Sequence, residues 1–310
     1  MPVAAPDATT LSDRLGAGDL TAVALMEATL ERIAAVNPAL NAIVSLRDPE
    51  ALMDEARAAD RGPRRGWLHG MPFAVKDLVE TAGIRTTHGS PLYADHVPAA
   101  DEGLARRLRA AGAILIGKTN VPEFGLGSHS TNPVFGVTRN PYDTARTAGG
   151  SSGGAGAALA AGMVAVADGS DMMGSLRNPA GWNNVWSLRP SWGIVPGDPV
   201  GDTYLHQLST NGPMARSPGD LARLLSTLAA DEPRRPFGRA LPDLSQLDRN
   251  PAGLRIGWLG DWGGAFPMEE GILATCESAL AVLESLGVTV EPLAPPIPAA
   301  DQWHGWTTLR

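Results

Sequence analysis

Short apolar runs alternate with amphipathic segments along the chain. Amphipathic spacing of apolar residues predicts helices over residues 20–36 and 268–286. Further helices are predicted over 49–60, which is rich in Ala and Glu, over 101–111, and over the Ala/Gly-rich segment 153–163. Continuous apolar runs predict short buried strands over residues 73–75, 113–116, 164–167, 254–259 and 288–293. Strands that alternate with helices in this way are typical of an α/β fold.

Proline and glycine suggest where several of these elements end. The pair Asn37-Pro38 predicts the end of the first long helix, and Gly112 is a candidate cap for the helix over 101–111. Residues 231–252 are rich in proline and charge, which predicts a surface excursion. We predict a single domain over 1–310, with a last helix starting near the C-terminal residue.

Composition narrows the class of protein. The chain is 44% hydrophobic and 19% charged, as in a soluble globular protein. Its formal net charge of −8 argues against a protein that binds a nucleic-acid backbone, which needs a basic face. The single cysteine, Cys276, allows no internal disulfide and no thiolate metal cluster. The longest uncharged run, Thr147 to Ala167, is too weakly apolar for a membrane span, and residues 1–14 lack a secretory signal pattern. We therefore expect a cytoplasmic protein without a membrane or nucleic-acid partner.

The use of basic residues is uneven. Of 25 lysines and arginines, only Lys76 and Lys118 are lysines. Arginine remains protonated in proteins, whereas a buried lysine can lose its proton. The two lysines are therefore candidate positions at which an amine is needed.

Two short motifs suggest functions that their context does not favour. Residues 112–119 fit the phosphate-binding pattern G-x-x-x-x-G-K-[ST], but the four middle residues are Ala-Ile-Leu-Ile, which favour a buried strand over an open loop. Residues 149–153 fit the G-x-S-x-G elbow of serine hydrolases, but a loop-like segment precedes them where that motif needs a strand. A serine esterase would also need a histidine, for which His206 is the candidate.

A third set of residues is similar to the amidase signature family. The set comprises Lys76, the glycine-rich segment Gly149–Gly154, and the segment Gly169–Arg177, in this order. Further blocks that resemble the family are Leu68–Asp77, Ile116–Phe124, Asn132–Tyr142 and Leu188–Gly193. The resemblance runs from about Leu11 to beyond Arg216, and more weakly to the end. Several blocks in matching order are more specific than any one motif.

The resemblance implies a fold and a set of roles. It implies a mixed central β-sheet flanked by helices on both faces, and a serine amidase without metal or cofactor. Ser175 would be the nucleophile, Ser151, in a cis peptide, the proton relay, and Lys76 the terminal base. Backbone N–H groups of Met172, Met173, Gly174 and Ser175 would hold the oxyanion. Asp171 and Arg177 would fix the loop as an ion pair, and Ser152 would be a hydrogen-bonding neighbour.

The sequence departs from the family pattern in two places and is shorter than the family's usual length. Met173 stands where glycine is common, which bears on the geometry of the oxyanion site. The run Trp182-Asn183-Asn184 replaces a usual Phe-Cys-Gly-like run, and we expect Trp182 to form a wall near the site. The expected partner is a small-molecule amide, and a homodimer is possible. The alternatives that remain are a truncated inactive homologue, an amidotransferase A-type subunit, or a subunit without catalysis.

Overall fold

The computed structural model describes residues 5–198, 200, 204–205, 207–229, 232–233, 237–244 and 246–309. The described residues form two compact units, 1–244 and 245–310. The expected single domain stays a prediction. Part of the expected excursion over 231–252 lies outside the described residues, as does His206.

The first unit contains the elements that carry the motifs singled out above. Its helices are α1 (Ala8–Ala17), α2 (Ala22–Leu40), α3 (Pro49–Arg61), α4 (Gly103–Ala110), α5 (Gly153–Ala160), α6 (Arg177–Trp182) and α7 (Pro218–Leu228). Its strands are β1 (Ile43–Val44), β2 (Pro72–Lys76), β3 (Ile114–Thr119), β4 (Thr131–Asn132), β5 (Gly136–Val137), β6 (Val166–Asp171), β7 (Trp186–Ser187) and β8 (Thr210–Ala215). Short 3₁₀ turns occupy Pro91–Tyr93 and Glu123–Gly125.

Two three-stranded sheets form the centre of this unit. In the order β1-β3-β2, β3 pairs with β2 in parallel and with β1 antiparallel. In the order β6-β8-β7, both pairings are antiparallel. At the junction of β2 and β6, the backbone N–H of Lys76 donates to the carboxylate of Asp168 at 2.9 Å. The Asp168 side chain thus accepts a hydrogen bond that a backbone carbonyl would accept within a continuous sheet. The strands and helices of this unit form an α/β fold.

Helices cover both faces of these strands, which agrees with the expected fold. Along β2, Phe73 and Val75 pack into a cluster with residues of α1, α4 and α7, whereas Ala74 packs with residues of α2, α3 and α5. This period-two alternation places successive side chains on opposite faces. Lys76 therefore lies on the same face of β2 as Ala74, the face that packs against α5.

Helix α2 is longer than the sequence predicts. Pro38 lies inside its last turn instead of ending it, and the helix continues to Leu40. The Asn37 side chain accepts the N–H groups of Ala42 and Ile43, and Asn41 closes the helix in the left-handed region at φ 52°. The prediction that Asn37-Pro38 ends the helix was wrong: Pro38 removes one i→i−4 hydrogen bond, but the helix continues to Leu40, and the Asn41 N–H bonds to the Asn37 carbonyl oxygen at 2.7 Å.

The second unit is a small α/β segment. It contains β9 (Arg255–Trp258), α8 (Ile272–Ser285), β10 (Thr289–Pro292) and α9 (Ala299–Leu309), and β9 and β10 pair in parallel. These elements match the strands and the helices predicted for this part of the sequence. None of the helices in the described residues has the length and apolar character needed to cross a membrane.

Candidate active site

A buried lysine lies at the centre of a cluster of serine hydroxyls. Lys76, the last residue of β2, is 1% exposed. Its Nζ lies 2.8 Å from Ser151 Oγ, 2.9 Å from Ser152 Oγ and 2.9 Å from Ser170 Oγ. Three hydroxyls match the three N–H donors of an ammonium, or the two donors and one lone pair of a neutral amine.

Burial controls the charge of this lysine. Desolvation lowers the pKa of Lys76 from 10.5 to about 7, against the opposing attraction of Asp168 and Asp171. Asp168 is itself fully buried, and burial raises the pKa of its carboxyl to about 6. Its Oδ2 has no hydrogen-bond partner among the described residues. The cluster can therefore exchange protons near neutral pH.

The glycine-rich segment brings Ser151 and Ser152 to the lysine. The peptide bond between Gly150 and Ser151 is cis, as the resemblance implies. Ser130 fixes the following turn, because its Oγ accepts the Gly153 N–H at 3.0 Å and lies 3.3 Å from the Ser151 carbonyl oxygen. Helix α5 begins immediately afterwards and is buried along its whole length.

Ser175 follows β6 in the loop that faces this segment. The Ser152 N–H donates to the Ser175 carbonyl oxygen at 3.1 Å, which ties the two segments together. Ser175 is half-buried, and its hydroxyl makes no hydrogen bond to the described residues. The structure thus brings Lys76, Ser151, Ser152 and Ser175 to one place.

Asp171 organises the loop that leads to Ser175. Its buried carboxylate accepts the Gly174 N–H at 2.7 Å and the Arg177 Nε–H at 2.9 Å, and Arg189 Nε lies 3.5 Å away. Although burial alone would raise it, the pKa of Asp171 is lowered by its hydrogen bonds to Arg177, Gly174 and Leu176. The structure therefore pairs Asp171 with Arg177, as expected from the sequence.

The backbone donors of this loop differ from one another. The Gly174 N–H is used by Asp171, whereas the N–H groups of Met172, Met173 and Ser175 have no acceptor among the described residues. Gly174 has φ 103°, and a Cβ there would lie 2.7 Å from the Asn178 side chain. Met173 is not among the described residues with positive φ, and its side chain is 51% exposed. A methionine at this position is therefore compatible with the loop.

An exposed aromatic side chain lies close to the glycine-rich segment. Trp182 ends α6, the helix that begins two residues after Ser175, and is 49% exposed. Its ring lies 6.4 Å from that of His129, whose backbone packs closely against Gly150. Trp182 therefore lies near the segment that holds Ser151, and its expected role as a wall of the site stays a prediction.

Three residues near the lysine were not singled out from the sequence. Asp168 and Ser170 lie on one face of β6, and Ser130 is buried against the glycine-rich segment. The predicted strand ends at residue 167 and therefore does not include Asp168 and Ser170. The signal for Asp168 and Ser170 is their spacing of two residues directly after an apolar run, which indicates polar side chains on one face of a continuing strand.

The two competing motifs do not adopt the structures that their functions require. Residues 114–119 form the buried strand β3, so the phosphate-loop pattern is not a loop. The segment before Ser151 is not a strand, and no histidine of the described residues hydrogen-bonds to Ser151 or Ser175. The fold and the cluster define an α/β protein with a serine–lysine site.

Comparisons with known proteins agree with this class. The family model described as Amidase matches residues 24–302, and the chain belongs to this family. The A subunit of glutamyl-tRNA(Gln) amidotransferase from Chloroflexus aggregans is 40% identical over 91% of this chain and 59% of its own length. An acylamidase of Rhodococcus erythropolis is 34% identical over 96% of this chain and 64% of its own.

A solved structure gives the same result for the fold. A bacterial aryl acylamidase of the amidase signature enzymes superposes with a TM-score of 0.89 at 28% identity, covering 98% of this chain and 64% of that one. The chain thus spans about three fifths of the length of these relatives.

Proposed function

We propose that this chain hydrolyses carboxylic amides through an acyl-enzyme on Ser175. The observation that carries the proposal is the fully buried Lys76, whose Nζ lies 2.8 Å from Ser151 Oγ. Serine hydroxyls are weak nucleophiles until a base accepts their proton. A lysine can be that base only when it is neutral, and burial favours the neutral form.

The proton path follows from the order of the groups. Ser175 Oγ attacks the amide carbonyl carbon, its proton passes to Ser151 Oγ, and the Ser151 proton passes to Lys76 Nζ. The C–N bond then breaks as Ser151 returns a proton to the leaving nitrogen and regains one from Lys76. Water attacks the ester by the same relay, which releases the acid and restores the three groups.

The loop before Ser175 supplies the donors for the developing oxyanion. The N–H groups of Met172, Met173 and Ser175 are the candidates, because they have no acceptor among the described residues. Gly174 contributes its backbone conformation, since its own N–H donates to Asp171. Asp171 and Arg177 hold the loop in place, and Ser152 and Ser170 accept the two N–H groups of the neutral lysine.

The exposed side chains of Met173 and Trp182 favour an apolar group beside the reacting carbonyl. An apolar substituent that covers them gains roughly 25 cal/mol for each Å² of apolar surface removed from water. The relative from Rhodococcus erythropolis is named an acylamidase, which is consistent with cleavage of an acyl amide.

The proposal is tested with p-nitroanilides of acetic, butyric and benzoic acid. We expect release of p-nitroaniline by the wild type, with kcat/KM rising with the apolar size of the acyl group, and none above background for Ser175→Ala. Ser278→Ala, a substitution on an exposed face of α8, is the matched serine control. Hydrolysis that survives Ser175→Ala would contradict the proposal.

A second candidate is an amidotransferase A-type subunit, favoured by the 40% identity to such a protein. Such a chain would release ammonia from glutamine and would co-purify with partner chains. Glutamine hydrolysis without nitroanilide hydrolysis would favour this function, and it would still depend on Ser175.

A further inference from the structure

Two histidines and a glutamate meet on the segment that follows β2. His88 Nε2 lies 2.7 Å from Glu80 Oε1, and His96 Nε2 lies 2.9 Å from Glu80 Oε2. One nitrogen or oxygen of each side chain lies within 4.8 Å of the others. The proposed amide chemistry uses none of these groups, so their convergence needs a separate explanation.

The backbone holds both imidazoles in place. His88 lies in the left-handed region at φ 51°, and its carbonyl oxygen accepts the Phe124 N–H at 2.7 Å. The His96 carbonyl oxygen accepts the Thr86 N–H at 2.9 Å. A non-glycine residue at positive φ costs free energy and persists where the surroundings impose it. The positions of the two histidines are therefore set by the fold.

An aromatic ring packs against both histidines. The Tyr93 ring lies 5.0 Å from the His88 ring and 5.6 Å from the His96 ring, edge-on in both cases. Edge-to-face packing of this kind restricts the rotation of the imidazoles. Preorganised ligands lose less entropy when they bind an ion.

We propose that Glu80, His88 and His96 form a binding site for a zinc-like divalent transition metal ion. Two imidazole nitrogens and a carboxylate oxygen are ligands that Zn²⁺ takes, with a bound water in the fourth position. Two ligands at about 2.0 Å in tetrahedral geometry are about 3.3 Å apart. The observed 2.7 and 2.9 Å contacts are close to that separation, so small side-chain rotations admit the ion.

Exposure and proton accounting also fit an ion that enters from solvent. The side chains of His88, His96 and Glu80 are 19%, 36% and 37% exposed, so water reaches the site. Without the ion, each Nε2 lies within hydrogen-bonding distance of one Glu80 carboxylate oxygen. Metal binding needs the lone pair of each Nε2, so any proton there passes to Nδ1 or to solvent.

The test uses the full chain without an affinity tag, stripped with a chelator and dialysed at pH 7.5. Titration calorimetry with ZnCl₂ alone gives stoichiometry and Kd, and Co²⁺ gives the visible absorption of a tetrahedral site. We expect one ion per chain. Removing a residue that only hydrogen-bonds to a metal ligand typically weakens metal affinity 10–100-fold. The His88→Asn/His96→Asn double variant removes two ligands, so its Kd should rise at least as much.

Matched variants separate this site from others on the chain. His304→Asn removes an exposed histidine of α9 and Cys276→Ser removes the exposed thiol, and neither should change Kd. Glu80→Gln keeps the size of the side chain and should weaken binding. Thermal melts without metal identify any variant that fails to fold, and His96→Asn alone serves as the milder replacement.

Three results would overturn the proposal. They are no saturable Zn²⁺ binding by the wild type, an unchanged Kd in folded histidine variants, and loss of binding in Cys276→Ser. Because the readout is metal binding, it stays independent of whether the chain hydrolyses amides.

Discussion

The depressed pKa of Lys76 predicts how reactivity at Ser175 depends on pH. Burial lowers this pKa from 10.5 to about 7. At pH 7.5 an unperturbed lysine is roughly 0.1% neutral, whereas one with a pKa of 7 is roughly three-quarters neutral. The shift thus increases the neutral base several-hundred-fold. Reactivity that depends on neutral Lys76 should rise about tenfold between pH 6 and pH 8 and then level off.

The assay is the second-order rate of labelling by a serine-directed fluorophosphonate, measured from pH 5.5 to 9.5. Lys76→Arg should label at least about a hundredfold more slowly, since arginine does not give up its proton. His206→Asn and His129→Asn are the controls, because a histidine base would give a similar midpoint. Both should keep the wild-type profile.

A flat pH profile, wild-type labelling of Lys76→Arg, or loss of the profile in a histidine variant would refute this reasoning.

The lowered pKa of Lys76 also affects the stability of the fold. Between pH 7 and 10.5 the unfolded chain binds more protons at Lys76 than the folded chain does, so stability rises with pH in that window. Below pH 7 the buried Lys76 is charged, and its burial lowers the free energy of unfolding by about 5 kcal/mol. Lys76→Met should therefore raise the urea midpoint at pH 7 while it abolishes labelling.

Three other substitutions test the structure around the lysine. Asp168→Asn should move the labelling midpoint to lower pH, because the carboxylate favours the charged lysine; an unmoved midpoint would contradict this. Asp171→Asn should lower the free energy of unfolding by about 3–5 kcal/mol in urea melts at pH 7. Asp143→Asn, which removes an exposed ion pair with Arg146, should leave the free energy of unfolding nearly unchanged. The Asp171 contribution is present above pH 4 and is lost as pH falls through its lowered pKa. Gly154→Ala should destabilise by about 1–3 kcal/mol, since its Cβ would lie 2.2 Å from the backbone nitrogen that follows β3. At Gly181 an added Cβ would have no atom within 4 Å, so Gly181→Ala should not destabilise the fold. Equal free energies of unfolding for Gly154→Ala and Gly181→Ala would contradict the close packing of α5.

Local composition and short apolar runs predicted several elements well. The predicted helix over 49–60 is Pro49–Arg61, and the predicted strand over 73–75 is the centre of Pro72–Lys76. Strand β6 was predicted too short, because Asp168 and Ser170 interrupt its apolar run. Asp168 is buried and Ser170 is partly buried where the strand meets Lys76. That is a tertiary contact, and it leaves no periodic pattern in the sequence.

The candidate site depended on the order of motifs more than on any one motif. Lys76, Ser151 and Ser175 lie on three separate elements, and only the resemblance related them. The use of the Gly174 N–H by Asp171 and the cluster of Glu80 with two histidines could not be predicted in this way, because both depend on side-chain positions that the fold sets.

The central claim is that Ser175 is the nucleophile activated by Lys76. The most direct test is the intact mass of the purified chain after incubation with a fluorophosphonate, with the adduct mapped by peptide mass. We predict one adduct, on Ser175, that is absent from folded Ser175→Ala and Lys76→Ala and present in Ser278→Ala. No adduct on the folded wild type, or an adduct on a residue other than Ser175, would contradict the account.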